Sequence, residues 1–339
     1  MNIVFEAIHE DRPGARIRQV FDHHWPAYRR WFLRDGVRAR PNYMAGLKAL
    51  RAHMPELVPV YGNIVETVGG GDLEARFLSM WCPPAYVGGC SQVLLTDEEP
   101  VLIRNYDFSP TLLDGIWLAS RYCEKRVVAV ADCLWGVLDG INEDGLAVSL
   151  SFGGGKSVGV GFGIPLVLRY ILEIAATVPD TIAILKRVPV HMPYSVAAID
   201  RRRRYATIFV RPGREAEVVN QHVSTNHQHT VEWPGHALAT KSVERQSILE
   251  HAIAKNEKTD SVLRVFLRPP VYQTEFGRGC GTLYTAVYRP LECTAELIWP
   301  ALRWRQSCSE FKDGSRTVVL EQTNPSDLVS PFVVPRGTP

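Results

Sequence analysis

Residues 88–92 read Gly88-Gly89-Cys90-Ser91-Gln92, and the next polar motif along the chain is Arg104-Asn105-Tyr106-Asp107-Phe108. Paired glycines give the backbone before Cys90 conformations closed to other residues. A strained peptide there would be open to attack by the neighbouring thiol. Taken alone, the pentapeptide also fits a glycine turn followed by a buried strand cysteine. Residues 92–96 and 101–105 flank Asp97-Glu98-Glu99-Pro100 and predict a hairpin. That hairpin leaves Cys90 and returns at Arg104 and Asp107, so both side chains are expected beside the thiol. An arginine there would lower the thiol pKa. A carboxylate could hold a newly freed α-amine, as the third member of a triad orients its base. The plainer alternative is a surface Arg–Asp pair worth under about 1 kcal/mol.

Two more motifs lie downstream. Leu138-Asp139-Gly140-Ile141-Asn142-Glu143-Asp144-Gly145-Leu146 reads as a turn between strands, and turn chemistry accounts for its Asn, Asp and Gly. In Ser224-Thr225-Asn226-His227-Gln228, an asparagine amide after a strand can donate to a developing oxyanion. His222, His227 and His229 raise the question of a metal, but no helix sets them on one face, so none is expected.

The ordered set Gly-Cys-Ser, Arg-Asn-Tyr-Asp, Asp-Gly-Ile-Asn-Glu-Asp-Gly-Leu and Thr-Asn-His resembles the cysteine N-terminal-nucleophile hydrolases. Within them it is most similar to the peptidase C45 group, which includes acyl-coenzyme A:6-aminopenicillanic acid acyltransferase, and more distantly to choloylglycine hydrolases. The resemblance implies an α+β fold, a four-layer αββα sandwich, and self-cleavage between Gly89 and Cys90. It implies Cys90 as nucleophile, Asp107 as the carboxylate near it, Asn226 as oxyanion donor and Arg104 as a partner of the choloylglycine type. Asn142 matches a pocket-lining polar residue, and Arg278 is the counterpart of a late arginine, with Arg245 as its rival. Two glycines stand where the transferase has Asp-Gly before its cysteine.

On that resemblance residues 1–89 are a helical pro-segment that stays docked as a small subunit. Residues 90–339 are the catalytic region, with a loosely held tail from about residue 324. The expected activity is hydrolysis of a linear amide of a small acylated amine or amino acid through a Cys90 thioester. The alternatives are an acyl-CoA-dependent N-acyltransferase, with acyl-CoA as co-substrate, and a non-catalytic binding protein of the same fold. No other cofactor is expected.

Composition agrees with an ordinary globular enzyme. The chain has 339 residues, 46% hydrophobic and 22% charged, with net charge +2. So small an imbalance gives no electrostatic reason to expect nucleic acid or an anionic membrane. The run Arg201–Arg204 follows Asp200 between two apolar segments and predicts a solvated hairpin turn. The start lacks a basic region followed by an apolar core. The longest apolar stretch, residues 158–178, carries Arg169 and Glu173, which predicts a buried helix and no membrane span. Seven cysteines without regular spacing point to reduced thiols in a cytoplasm.

Elsewhere, apolar periodicity predicts helices over residues 20–31, 42–54, 165–177, 180–187, 242–255 and 259–268. Strands are predicted over 127–131, 147–152, 195–200, 205–211, 282–289 and 295–302.

Overall fold

The computed structural model describes residues 1–255, 258–276 and 280–320. Arg278 and the tail from about residue 324 therefore lie outside the described residues. The chain begins with a strand, β1 (Asn2–His9), followed by helices α1 (Ala15–Phe32), α2 (Tyr43–His53), α3 (Val58–Thr67) and α4 (Asp72–Leu78). Asn42 caps α2 by accepting from the Ala45 amide at 2.9 Å, and Pro59 occupies the first turn of α3.

Next come β2 (Gly89–Leu95), β3 (Val101–Phe108), β4 (Ile116–Ser120), β5 (Val127–Asp132), β6 (Gly136–Asn142) and β7 (Ala147–Phe152). Helices α5 (Ile164–Ile174) and α6 (Val178–Arg187) precede β8 (Tyr194–Ile199), β9 (Tyr205–Arg211), β10 (Arg214–Val219) and the short β11 (Val223–Ser224). The chain then forms α7 (Pro234–Ala239), α8 (Ser242–Ala254), α9 (Thr259–Phe266), β12 (Gly281–Arg289), β13 (Thr294–Trp299), β14 (Leu302–Ser307) and β15 (Gly314–Val319).

Two sheets result. The large one runs β10-β9-β8-β7-β6-β5-β4-β1-β15 and the small one β11-β2-β3-β12-β13-β14. Strand alternation divides their side chains among three cores. Leu94, Leu102, Trp117, Val128, Ile141 and Tyr284 fill the space between the sheets. Phe21, Leu50, Phe77, Leu168, Ile171 and Val148 join the helices α1–α6 to the outer face of the large sheet. Val93, Ile103, Leu249, Leu263 and Phe266 join α8 and α9 to the outer face of the small sheet. Helix, sheet, sheet, helix is the four-layer αββα sandwich that the motif set implies.

Two expectations need correction. The first 89 residues are not purely helical, because β1 lies inside the large sheet, parallel to β4 and antiparallel to β15. The stretch Leu138–Asn142 is strand, and the turn after it is confined to the residues that follow. Arg201–Arg204, by contrast, is the turn joining β8 and β9 as predicted.

Candidate active site

Residues directly opposite each other in an antiparallel pair share a face. In the β2–β3 hairpin, Cys90 is opposite Tyr106, Gln92 is opposite Arg104, and Gly89 is opposite Asp107. Cys90, Arg104 and Tyr106 therefore point between the sheets, whereas Ser91 and Asp107 point outward to α8. The hairpin separates the two groups that the sequence expects together. Arg104 is beside the thiol; Asp107 is beside the Gly89–Cys90 peptide on the opposite face.

On the inner face, Arg104 Nη2 is 3.3 Å from Cys90 Sγ. Its Nε donates to Leu150 O at 3.1 Å, its Nη1 to Tyr284 Oη at 3.0 Å and to Asp139, and its plane covers the Tyr106 ring. Burial pushes the Cys90 thiol up, and the pull of Arg104 toward thiolate is outweighed in the uncut chain. The sequence expects an arginine there to lower the thiol pKa; Arg104 pulls that way, but burial makes the net shift upward.

On the outer face, Arg245 of α8 is wholly buried. Its Nη1 donates to Cys90 O at 2.7 Å, Ser91 Oγ at 2.6 Å and Asp107 Oδ2 at 3.1 Å; its Nη2 donates to Asn226 Oδ1 at 2.6 Å. Thr282 donates to Asp107 Oδ1 at 2.7 Å. Burial raises the Asp107 carboxyl, against the opposing pull of Arg245 and the Thr282 hydroxyl.

Asn226 arrives from the edge. Ser224 of β11 pairs with Gln92, so two residues further on the chain comes level with Cys90. There Asn226 Oδ1 accepts from the Cys90 amide at 3.0 Å, and its Nδ2 faces Phe152 O at 3.3 Å and Gly88 O at 3.5 Å. Ser242, the first residue of α8, fixes this segment by accepting from Asn226 N at 3.0 Å.

Gly88 and Gly89 owe their place to close approach. Neither has positive φ, so the expected special backbone conformation is absent. A Cβ on Gly89 would lie 3.0 Å from Asp107 Cβ, and one on Gly88 would lie 3.2 Å from the Phe108 ring.

Asn142 is not at the site. Its Nδ2 donates to Leu172 O at 2.9 Å and Ala175 O at 2.7 Å, and its Oδ1 accepts from Leu146 N at 3.1 Å. It faces the helical layer and satisfies the end of α5, with no group left for a ligand. Gly89, Cys90, Arg104, Asp107 and Asn226 do converge, and Arg245 joins them. Thr282 and Tyr284 were missed, because nothing in their local sequence marks them, and Asp139, although inside the Leu138–Leu146 motif, was given no role.

A cleft with a volume of about 100 Å³ opens next to this cluster. Tyr28 and Trp31 of α1, Tyr86, Phe108 and Asp132 line it, together with Tyr106, the inner-face neighbour of Cys90. No group of three or more His, Cys, Asp or Glu side chains among the described residues is placed to hold a metal ion. His222 and His229 are occupied elsewhere, with Leu94 O and Glu217.

Residues 94–304 match the family model described as acyl-coenzyme A:6-aminopenicillanic acid acyl-transferase, which is more than half of the chain. No curated protein matches it. Among solved structures, a conjugated bile acid hydrolase variant from Clostridium perfringens is similar at 11% identity and TM-score 0.47, covering 70% of this chain and 99% of that one. Penicillin V acylase from Agrobacterium tumefaciens is similar at 16% and 0.45, over 64% and 84% of the two chains. An N-acylethanolamine-hydrolyzing acid amidase ortholog from Caenorhabditis elegans gives 16% and 0.43, over 68% and 100%.

Proposed function

This chain belongs to the acyl-coenzyme A:6-aminopenicillanic acid acyl-transferase family, and from that premise we propose that it is a self-processing N-terminal-nucleophile amidase with Cys90 as nucleophile. The observation that carries the reading is the set of contacts on one residue. Asn226 holds the Cys90 amide, Arg104 its sulfur and Arg245 its carbonyl. A structural strand cysteine has no need of three side chains, two of them buried arginines.

Chemistry then proceeds in two stages. In the first, the Cys90 sulfur attacks the Gly89 carbonyl carbon, the Gly89–Cys90 C–N bond breaks, and the nitrogen takes up a proton. Water hydrolyses the resulting thioester, returning the thiol and leaving a Gly89 carboxylate. In the second, the new α-amine, with a reference pKa of about 7.7–8, serves as base for its own thiol. Asn226 Oδ1 already holds that nitrogen. Departure of the Gly88 carbonyl would leave Asn226 Nδ2 to donate to the oxyanion of an incoming substrate. The first bond cut is itself an amide, which favours amide substrates.

The Cys90 acyl-enzyme would pass to water in a hydrolase, or to an amine in an acyl-CoA-dependent transferase. The substrate class proposed is a small acylated amine or amino acid held in the cleft beside Tyr106. No helix among the described residues is long and apolar enough to cross a membrane. All seven cysteines are free thiols, which supports a reducing, cytoplasmic setting.

Intact mass under denaturing conditions tests the proposal. Wild type should give two species, residues 1–89 and 90–339, and Cys90→Ala one uncut chain. A wild type that stays whole after prolonged incubation at neutral pH overturns it.

A further inference from the structure

Between the sheets, among largely apolar side chains, lies a buried carboxylate. Asp139 of β6 is fully buried. Its Oδ2 accepts from Arg104 Nη1 and from Tyr284 Oη at 2.6 Å, and its Oδ1 accepts from Tyr288 Oη. Burial and the Asp139 charge push both phenols well above their ordinary range, so they remain protonated donors.

Asp139 faces inward because of an irregularity. Val130 pairs with Asp139 but Ala131 with Val137, so Leu138 is an extra residue in β6. The bulge lets Asp139 face inward with Ile141 although Val137, two residues before it, faces the helices. A second bulge lies opposite in the other sheet. Asp107 pairs with Thr282 and Tyr106 with Tyr284, making Leu283 the extra residue of β12. It lets Thr282 face outward to Asp107 while Tyr284 faces inward to Asp139. Two bulges, one per sheet, thus converge on one carboxylate, and that carboxylate holds the arginine at the thiol.

We propose that Asp139 is a positioning residue: with Tyr284 and Tyr288 it fixes the Arg104 guanidinium so that Nη2 is presented to Cys90 Sγ. This rests on the reading of Cys90 as the nucleophile. The donor inventory supports it. Nε and Nη1 of Arg104 are engaged by Leu150 O, Tyr284 Oη and Asp139. The guanidinium cannot turn away from the sulfur without giving up all three, and it cannot keep Nη2 in place without them. A buried ion pair is often no more stabilising than apolar side chains of similar volume, so stability alone does not explain this one.

The sign of one measurement separates positioning from simple charge. A negative charge near a thiol raises its pKa, so neutralising Asp139 electrostatically would lower the pH at which Cys90 becomes thiolate. Loss of the guanidinium contact would raise it. The test uses the full chain in four forms: wild type, Asp139→Asn, Arg104→Leu and the double variant. Cys90 alkylation by iodoacetamide is followed against pH in processed protein.

Asp139→Asn should move the alkylation midpoint up by about one pH unit, a tenfold loss of thiolate at fixed pH below it. The double variant should not lie above Arg104→Leu, because the upward shift acts only through the arginine. A midpoint that falls or stays in Asp139→Asn, or an upward shift on Asp139→Asn that persists without Arg104, overturns the proposal.

If the variants process poorly, the pH dependence of self-cleavage replaces alkylation. Asp139→Asn should then cut about tenfold slower at pH 7 and approach the wild-type rate at pH 9. Slowness independent of pH denotes a merely structural residue and sinks the idea. Tyr288→Phe, which keeps the ion pair, should shift either midpoint in the same direction by less. Failure of this inference is distinguishable from failure of the nucleophile reading. In the latter the wild type itself shows no processed, alkylatable Cys90.

Discussion

A single side chain, Asn226, links the two stages of the proposed chemistry. Its oxygen holds the Cys90 nitrogen, while its Nδ2 faces the Gly88 carbonyl on the other side of the bond to be cut. Oxygen and nitrogen therefore have different assignments: one keeps the future amine in place, the other is freed for an oxyanion. Removing a single oxyanion donor typically costs about 10²–10³ in turnover, roughly 2.7–4 kcal/mol. Asn226→Ala should thus slow self-cleavage by a factor of that order. Asn226→Asp should be at least as slow, since a carboxylate repels the oxyanion. Cleavage timed by intact mass on freshly translated chain checks both. Wild-type rates in both variants would remove Asn226 from the chemistry and leave it a clamp on α8 through Ser242.

Elements, rather than residues, explain what could be read beforehand and what could not. The β2–β3 hairpin was legible because turn residues and apolar runs are local signals, and Cys90 and Arg104 followed from it. The face on which each side chain points follows from register, which is not local. Arg104 and Asp107 are three positions apart on β3, so they fall on opposite faces, Arg104 at the sulfur and Asp107 behind the strand. The faces to which Asp139 and Thr282 point could not be read, since an extra residue interrupts the alternation in β6 and in β12. Arg245 stood in the sequence only as the rival of Arg278, or as a helix residue packed on the core; the packing of α8 on β2 shows that it spans four polar groups of the site.

Asn142 fails in the opposite direction. Its motif was informative, but its amide serves the two carbonyls at the end of α5. Asn142→Ala leaves those groups buried without a donor, at about 1–3 kcal/mol. It should lower the unfolding midpoint while leaving the rate of self-cleavage and the reactivity of Cys90 unchanged. Thermal unfolding and iodoacetamide labelling on one sample decide between this and a ligand-contacting role, which would change chemistry and spare stability.

For the whole molecule, the main consequence concerns what happens to residues 1–89 once they are cut free. They read as a helical leader, because the amphipathic helices dominate the pattern and β1 is a single short strand whose partners, β4 and β15, lie over a hundred and over three hundred residues away. Yet that strand joins the segment to the centre of the fold. Phe5 is fully buried between the sheets and packs edge-on against Trp299 at 5.0 Å and Tyr284 at 6.0 Å. Tyr284 in turn belongs to the Asp139 group that holds Arg104. From the other side, Tyr28 and Trp31 of α1 form part of the cleft wall. The segment thus supports the site twice, and burial of Phe5 alone contributes about 1.5–3 kcal/mol. Its loss would open the large sheet between β4 and β15 and expose the core that α1–α4 cover. After cleavage the two pieces should therefore co-elute in native gel filtration. They should separate only across the same urea range in which near-UV circular dichroism is lost, as one cooperative transition. Phe5→Ala should weaken that association and reduce the reactivity of processed Cys90 toward iodoacetamide, since Tyr284 loses its backing. Release of the small piece in native buffer, with the large piece still folded and its Cys90 still reactive, would show that the segment is only a leader after all.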